Sequence, residues 1–294
     1  MIDDIEPEPI GIPNRIGNTC WFQSATQCIF RNPEFRRKIN KFDPANLQIK
    51  NDQSTLECLK ILHRHFNTLA NSKDGLDVDN SQLVTTLKAD NHHLVTAQTS
   101  SGKDSYNALI AYHELFATLL GDSRFGFHSY NSPFGSIQTM KLSQPTPKSP
   151  PEIIHIIFCI LEEPGDIRQS FLKQIDQLFF LPEVLVLRQD RSCKERTNPD
   201  PILSLPEPFD FIAAGKVLEK CKTETKYELY GMVCYQGQNA DHAIAEVKLV
   251  GKNAWYEFND QKVERKGDDS ILKDGQTLTP NFNWPALLFY RKLK

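Results

Sequence analysis

Apolar positions along the chain change period twice, and the changes mark out its elements. From Cys20, apolar groups at Phe22, Ala25, Thr26, Ile29 and Phe30 recur at offsets of three and four. This predicts a helix that starts at Cys20 and stops near Arg31 or Asn32, ahead of Pro33. Leu56, Leu59, Leu62, Phe66 and Leu69 predict a second amphipathic helix, residues 81 to 88 a short third, and residues 103 to 120 the longest, closed by Gly121. Residues 130 to 135 and 144 to 151, rich in proline and serine, read as exposed connections. Strand-length apolar runs follow at Ile153 to Leu161 and Leu181 to Leu187, with a short helix over 165 to 172 between them. The charged stretch 188 to 203, with two prolines, reads as an exposed loop. From Tyr227 the period falls to two, and short strands run through to Arg291. Helices first and antiparallel strands second predict an α+β fold. Residues 1 to 13 read as a loose lead-in, leaving one domain over 14 to 294, helical to 120 and β-rich beyond.

Composition narrows the function more than the fold. With 34 basic and 37 acidic side chains, net charge −3, there is no electrostatic reason to expect nucleic acid or an anionic membrane as partner. Protein partners and a monomeric state are the expectation. The acidic, proline-bearing start has none of the basic-then-apolar character of an export signal, and no apolar run approaches the roughly 20 residues that cross a bilayer. Seven cysteines, with no Cys-x-x-Cys pair, argue against a disulfide framework or a four-thiolate zinc site and predict reduced thiols in a cytoplasmic compartment.

Candidate chemistry begins at Gly17-Asn18-Thr19-Cys20-Trp21-Phe22-Gln23-Ser24. A cysteine opening a helix, with Thr19 or Asn18 placed as cap, faces the free N–H groups of the first turn, which favour a thiolate. Such a sulfur is a nucleophile if an imidazole takes its proton and a third group holds the ring. The later strands offer both, in Tyr227 to Tyr235, His242 to Val250 and Trp255-Tyr-Glu-Phe-Asn-Asp260. In the second of these, Ala243, Ala245, Val247 and Leu249 share one face, leaving His242, Ile244, Glu246 and Lys248 on the other. A hairpin turn at Gly251-Lys252 sets residue 244 opposite 259 and makes Asn259 the same-face diagonal neighbour of His242; a turn one residue later would break that relation.

The Gly-Asn-Thr-Cys-aromatic stretch, with Ser24 and Gln27 behind it, resembles the cysteine box of the ubiquitin-specific proteases. The His242 strand followed by Trp-Tyr-x-Phe-Asn-Asp resembles their histidine box, in the same chain order. The resemblance implies a papain-like fold with a helical thumb, a β-sheet palm and the site between them. It implies that Cys20 attacks the carbonyl after the last glycine of ubiquitin, His242 acts as acid and base, and Asn259 orients the ring, with Asp260 able to assist or replace it. Ubiquitin and its conjugates become the implied partners, with no metal or cofactor in the reaction. The family places an oxyanion-binding asparagine five residues before the cysteine; here that position is Arg15, so the role falls to Asn14, one residue earlier, beside the backbone N–H of Cys20. Asp241, Ala243 and Gln23 also depart from the family pattern. Residues 103 to 109 faintly resemble the family's second box. The paired cysteines that bind zinc in the family's fingers are missing, so reduced fingers are expected. Compact versions of this kind include bacterial effectors, which would act in a host cytosol. The alternatives are a protease for another modifier of SUMO type, an inactive ubiquitin-binding module, and a transglutaminase-like acyltransferase, the last of which would not carry the Trp-Tyr-x-Phe-Asn-Asp box.

Other polar groups read as structural. His63 and His65, two apart on a helix, face different ways and are no metal pair. His92-His93 reads as solvated loop, His155 as a core histidine, and Asp77 with Asp79 lacks the glycine and glutamate of a calcium loop. Trp255, Tyr256 and Phe258 read as packing rather than substrate contacts.

Overall fold

The computed structural model describes residues 6–15, 17–40, 53–75, 77–78, 81–89, 156–161, 184–189, 201–206, 224–236, 242–252, 254–267 and 284–293. The expected helices at 103 to 120 and 165 to 172, the proline-rich stretches, His92-His93, His155 and Asp241 lie outside the described residues. Among the described residues the helices are α1 (Cys20–Phe30), α2 (Pro33–Asn40), α3 (Gln53–Asn71) and α4 (Ser81–Ala89). The strands are β1 (Ile156–Leu161), β2 (Val184–Gln189), β3 (Ile202–Pro206), β4 (Glu224–Gln236), β5 (His242–Leu249), β6 (Ala254–Asn259), β7 (Lys262–Lys266) and β8 (Trp284–Lys292). Helices precede a mainly antiparallel set of strands, as the α+β reading expects. The chain divides into two compact units, the first of residues 1–123, 232–271 and 280–283, the second of 124–231, 272–279 and 284–294.

In the first unit, Pro33 ends α1 as expected but also opens α2. At the first position of a helix, proline's missing N–H is no loss and its fixed φ suits the turn. Each residue of α1 is buried, Trp21 and Phe22 meeting edge to face at 5.5 Å between ring centroids and Phe30 meeting Phe66 of α3 at 5.2 Å. The strand order is β4-β5-β6-β7. Strand β7, Lys-Val-Glu-Arg-Lys, has no apolar face to signal it; Lys266 pairs with Glu257 of the neighbouring β6 at 3.0 Å. Trp255 and Phe258 are each 2% exposed, which makes them packing residues as read.

Residues 6–13 are not a loose lead-in. They form a strap held by side chains of α1 and its end. Arg31 donates to the carbonyls of Pro7 (2.8 Å) and Glu8 (3.0 Å), Gln27 to that of Ile10 (2.9 Å) and Gln23 to that of Pro13 (2.9 Å). Gln23, Gln27 and Arg31 are four residues apart, so one face of the helix grips the strap along its length. Arg31 is fully buried between the rings of Phe30 and Phe258 at 5.0 and 5.2 Å, and pairs with Glu6, which also meets Arg36. Burial lowers the Arg31 guanidinium to about 10, still charged at neutral pH.

In the second unit the order is β1-β2-β8-β4, with β3 also on β4. β1 and β2 are parallel, from Ile156 opposite Val184 to Leu161 opposite Gln189, where the sequence reading expected antiparallel strands throughout. The residues between them, 162–183, are long enough for the crossover that a parallel pair needs. β3 begins inside the stretch read as loop. Its Leu203 and Leu205 are buried while Ile202 is 48% exposed, an alternation too short to stand out in the sequence. Glu228 accepts from Arg291 at 2.6 Å, tying β4 to β8.

Candidate active site

The approach to Cys20 is a sharp turn. Gly17 (φ +66°) and Asn18 (φ +53°) take the left-handed conformation in succession, the first open to glycine and the second tolerated by asparagine. Thr19 is the helix cap, but its side chain makes no capping hydrogen bond. Its hydroxyl donates instead to Asn14 Oδ1 (2.8 Å) and accepts from Gln23 Nε2 (3.1 Å). The expected Thr19 cap is therefore a side chain turned away from the first-turn amides. The N–H groups of Phe22 and Gln23 bond the Thr19 carbonyl at 2.9 and 3.0 Å. The indole of Trp21 donates to the Asn18 carbonyl at 2.9 Å and fixes the turn from the other side.

β5 and β6 pair from Ala245 opposite Phe258 to Leu249 opposite Ala254, the register required by a turn at Gly251-Lys252. Gly251, at φ +81°, supplies that turn. His242 and Asn259 consequently meet, Nε2 lying 2.8 Å from Asn259 Oδ1. Because the amide oxygen only accepts, Nε2 carries the proton toward Asn259.

Helix α1 packs along β5, and two pairs fix its direction. Cys20 acts on the His242 imidazole at one end, and Cys28 lies within the field of Glu246 at the other. Eight helical residues span about 12 Å and four strand residues about 13 Å, so helix and strand run alongside without drift. Ile244 and Glu246, on the same face as His242, are buried by this packing. Cys20 itself is 8% exposed.

Electrostatics act differently on His242 and on the buried thiols of Cys28 and Cys234. The His242 imidazolium is pushed up from 6.5 to about 9, chiefly by its hydrogen bond to Cys20. Partial burial opposes the rise; the Asn259 hydrogen bond and the charges of Cys20 and Asp260 add to it. Burial instead pushes the thiols of Cys28 and Cys234 well up, with Glu246 adding, so they stay protonated and inert. A cysteine beside an imidazole whose far nitrogen is anchored has the parts that nucleophilic catalysis by sulfur requires.

Asn14 sits beside this pair. Its Oδ1 accepts from the Thr19 hydroxyl and from the Thr19 N–H (3.4 Å), while its Nδ2 donates to Asp260 Oδ2 at 3.5 Å. Asp260 occupies the two-residue turn between β6 and β7 with φ +51°. Arg15, at the position the family gives to asparagine, is not the residue that bridges Thr19 and Asp260. The sequence reading missed the gripping role of Gln23, Gln27 and Arg31, whose only trace is polar residues at a four-residue spacing in a helix with no exposed face. Among the described residues no cluster of histidine, cysteine and acidic side chains could hold a metal ion.

The family model described as ubiquitin carboxyl-terminal hydrolase matches residues 10–290. Ubiquitin carboxyl-terminal hydrolase 48 of Danio rerio is 26% identical in an alignment 301 positions long that covers 87% of this chain and 27% of that protein. The chain thus spans about a quarter of the relative's length. A chain of the SAGA DUB module of Ubp8, Sgf11, Sus1 and Sgf73 bound to monoubiquitin superposes with a TM-score of 0.60 at 16% identity, covering 100% of this chain and 71% of that one. The same module in another structure gives 0.61 at 17%, covering 98% and 69%. At these identities the likeness establishes the fold, which is the expected papain-like one.

Proposed function

The chain belongs to the ubiquitin carboxyl-terminal hydrolase family, and from that membership we propose that it is a cysteine-type deubiquitinase cleaving after the C-terminal glycine of ubiquitin. The Cys20 thiolate attacks the scissile carbonyl carbon, and the oxygen takes up negative charge. His242, as imidazolium, gives its proton to the leaving amine, and a thioester forms on Cys20. His242 then takes a proton from water, the hydroxide attacks the thioester, and the ubiquitin carboxylate departs as the thiolate is restored. Asn259 keeps the ring turned so that Nδ1 serves the sulfur. The Cys20 N–H and the Asn14 amide are the proposed donors to the oxyanion, a task worth several kcal/mol of barrier per well-placed donor. All these steps are carried by side chains, backbone and water. The enzyme would act as a monomer on ubiquitin conjugates in a reducing, cytoplasmic compartment.

The observation that carries this reading is the 2.8 Å hydrogen bond anchoring His242 Nε2 to Asn259, on a ring whose proton Cys20 helps to hold. The test is incubation with ubiquitin, and in parallel with SUMO-type modifiers, each bearing a C-terminal electrophile. A covalent adduct with ubiquitin that is lost in Cys20→Ala supports the proposal. Adducts with another modifier alone redirect the substrate assignment. Non-covalent binding with no adduct would make the chain an inactive ubiquitin-binding module.

A further inference from the structure

The strap over α1 also touches the turn that carries Asn259 and Asp260. The Ile12 N–H donates to the Asp260 carbonyl at 3.0 Å, and Asn14 bridges Thr19 and Asp260. Just before them, Gly11 lies against the same turn. A Cβ added there would stand 2.4 Å from the Asp260 oxygen and 2.4 Å from the Gln261 carbonyl carbon, both backbone atoms that no side-chain rotation can move aside. A second turn closes on the same glycine, because a Cβ on Gly75, in the turn after α3, would stand 2.3 Å from the Gly11 oxygen. Gly75 has φ +76°, and its N–H is held by Ser72 Oγ at 2.9 Å. The Gly75 turn and the Asp260 turn thus each approach the strap at Gly11 too closely for a side chain at the glycine.

The other edge of the strap is fixed to the helix bearing Cys20, through Gln23 to Pro13 and Gln27 to Ile10, each at 2.9 Å. Both glutamines must present their NH₂ groups, since the partners are carbonyl oxygens. One extended segment therefore bonds to the helix that supplies the sulfur and to the turn that supplies the ring anchor.

We propose that residues 8–14 act as a clamp that sets the spacing between the Cys20 helix and the Asn259–Asp260 turn, with Gly11 as its positioning residue. Gly11 touches no reacting atom. Its part is to let the strap approach the turn so closely that Asn259 stays against the His242 ring. The proposal deepens the hydrolase reading in its kinetic consequences, yet its geometric core concerns only Cys20, His242 and Asn259.

The test uses Gly11→Ala in the full chain. Relieving the clash requires a separation of about 1 Å, and displacements of that size away from the chemistry cost up to about 10²-fold in rate. The expected result is a fall in kcat of about tenfold or more on a ubiquitin C-terminal amide with KM little changed. A second readout is free of ubiquitin: the pH dependence of Cys20 alkylation by iodoacetamide, whose upper inflection reports loss of the His242 proton. The groups acting on that proton are Cys20, Asn259 and Asp260. Moving the last two away lowers the inflection from about 9 by roughly one pH unit. Gly267→Ala, where a Cβ meets nothing within 4 Å, leaves both readouts unchanged. If Gly11→Ala does not fold, Gln27→Met keeps the side-chain volume while removing the bond to Ile10, and shifts the inflection in the same direction. Profiles that coincide with wild type in the folded variant overturn the clamp. A shifted alkylation profile in a protein that ignores every ubiquitin probe would retain the clamp and refute the hydrolase reading; the reverse pattern would do the opposite.

Discussion

His242 and Asn259 face each other across β5 and β6 with 2.8 Å between Nε2 and Oδ1; the hairpin register places them together, and the strap at Gly11 packs against the turn that follows Asn259. The contact gives the two residues unequal weight. In the proposed mechanism Asn259, being neutral, contributes orientation, whereas His242 moves protons.

Replacing His242 with alanine removes the general acid and base, so kcat on a ubiquitin C-terminal amide falls by at least about 10²–10⁴-fold. Asn259→Ala removes one hydrogen bond of about 1 kcal/mol and slows turnover only roughly tenfold. Equal losses in the two variants would mean that Asn259 does more than orient the ring.

The raised imidazolium fixes the alkaline limb. A group whose folded pKa lies above its unfolded value favours the protonated folded state; its contribution is complete below pH 6.5 and is lost as pH rises through about 9. Turnover follows the same proton, because the leaving amine must receive it, so kcat/KM declines above about pH 9. In Asp260→Asn one of the negative charges near the ring disappears and the decline begins at lower pH. A pH–rate profile of both proteins reads this directly.

Asn14 and Asp260 are in contact yet respond differently. Asn14→Ala removes a proposed oxyanion donor and lowers kcat by about 10²-fold. It leaves the charge of Asp260 in place, so the alkaline limb does not move downward. An Asn14→Ala profile shifted to lower pH, with kcat preserved, would assign Asn14 to the His242 ring instead of the oxyanion.

The strap is tied to the fold by Arg31. Its side chain is fully buried, and Arg31→Ala would leave the carbonyls of Pro7 and Glu8 without their donor and weaken the hold on Glu6. Loss of one partner from a buried ion pair costs about 3–5 kcal/mol, read as a lowered denaturation midpoint. Lys262→Ala, which breaks an exposed pair with Glu264, leaves the denaturation midpoint essentially where it was.

Much of the site was legible because its determinants are local. Gly17-Asn18 announces a turn into a helix, and Gly251-Lys252 offers a turn compatible with Asn259 against His242, a register that the sequence left open and the pairing of Ala245 with Phe258 settles. Elements whose partners lie far off in the chain were less visible. The strap has no periodicity of its own, and its bonds run from its backbone carbonyls to side chains of α1. Strand β7 is held beside β6 by pairs such as Lys266 with Glu257, so no apolar alternation marks it. Asn14, displaced by one residue from the family position, was identified from its residue type; the sequence did not reveal that its amide spans Thr19 and Asp260.

The central claim is that one sulfur among seven is the nucleophile. Peptide mapping of the protein after reaction with ubiquitin bearing a C-terminal electrophile tests it most directly. The account predicts a single ubiquitin adduct, on Cys20, formed at a rate that collapses in His242→Ala. An adduct on Cys28, Cys58 or Cys234, or a rate indifferent to His242, would contradict it.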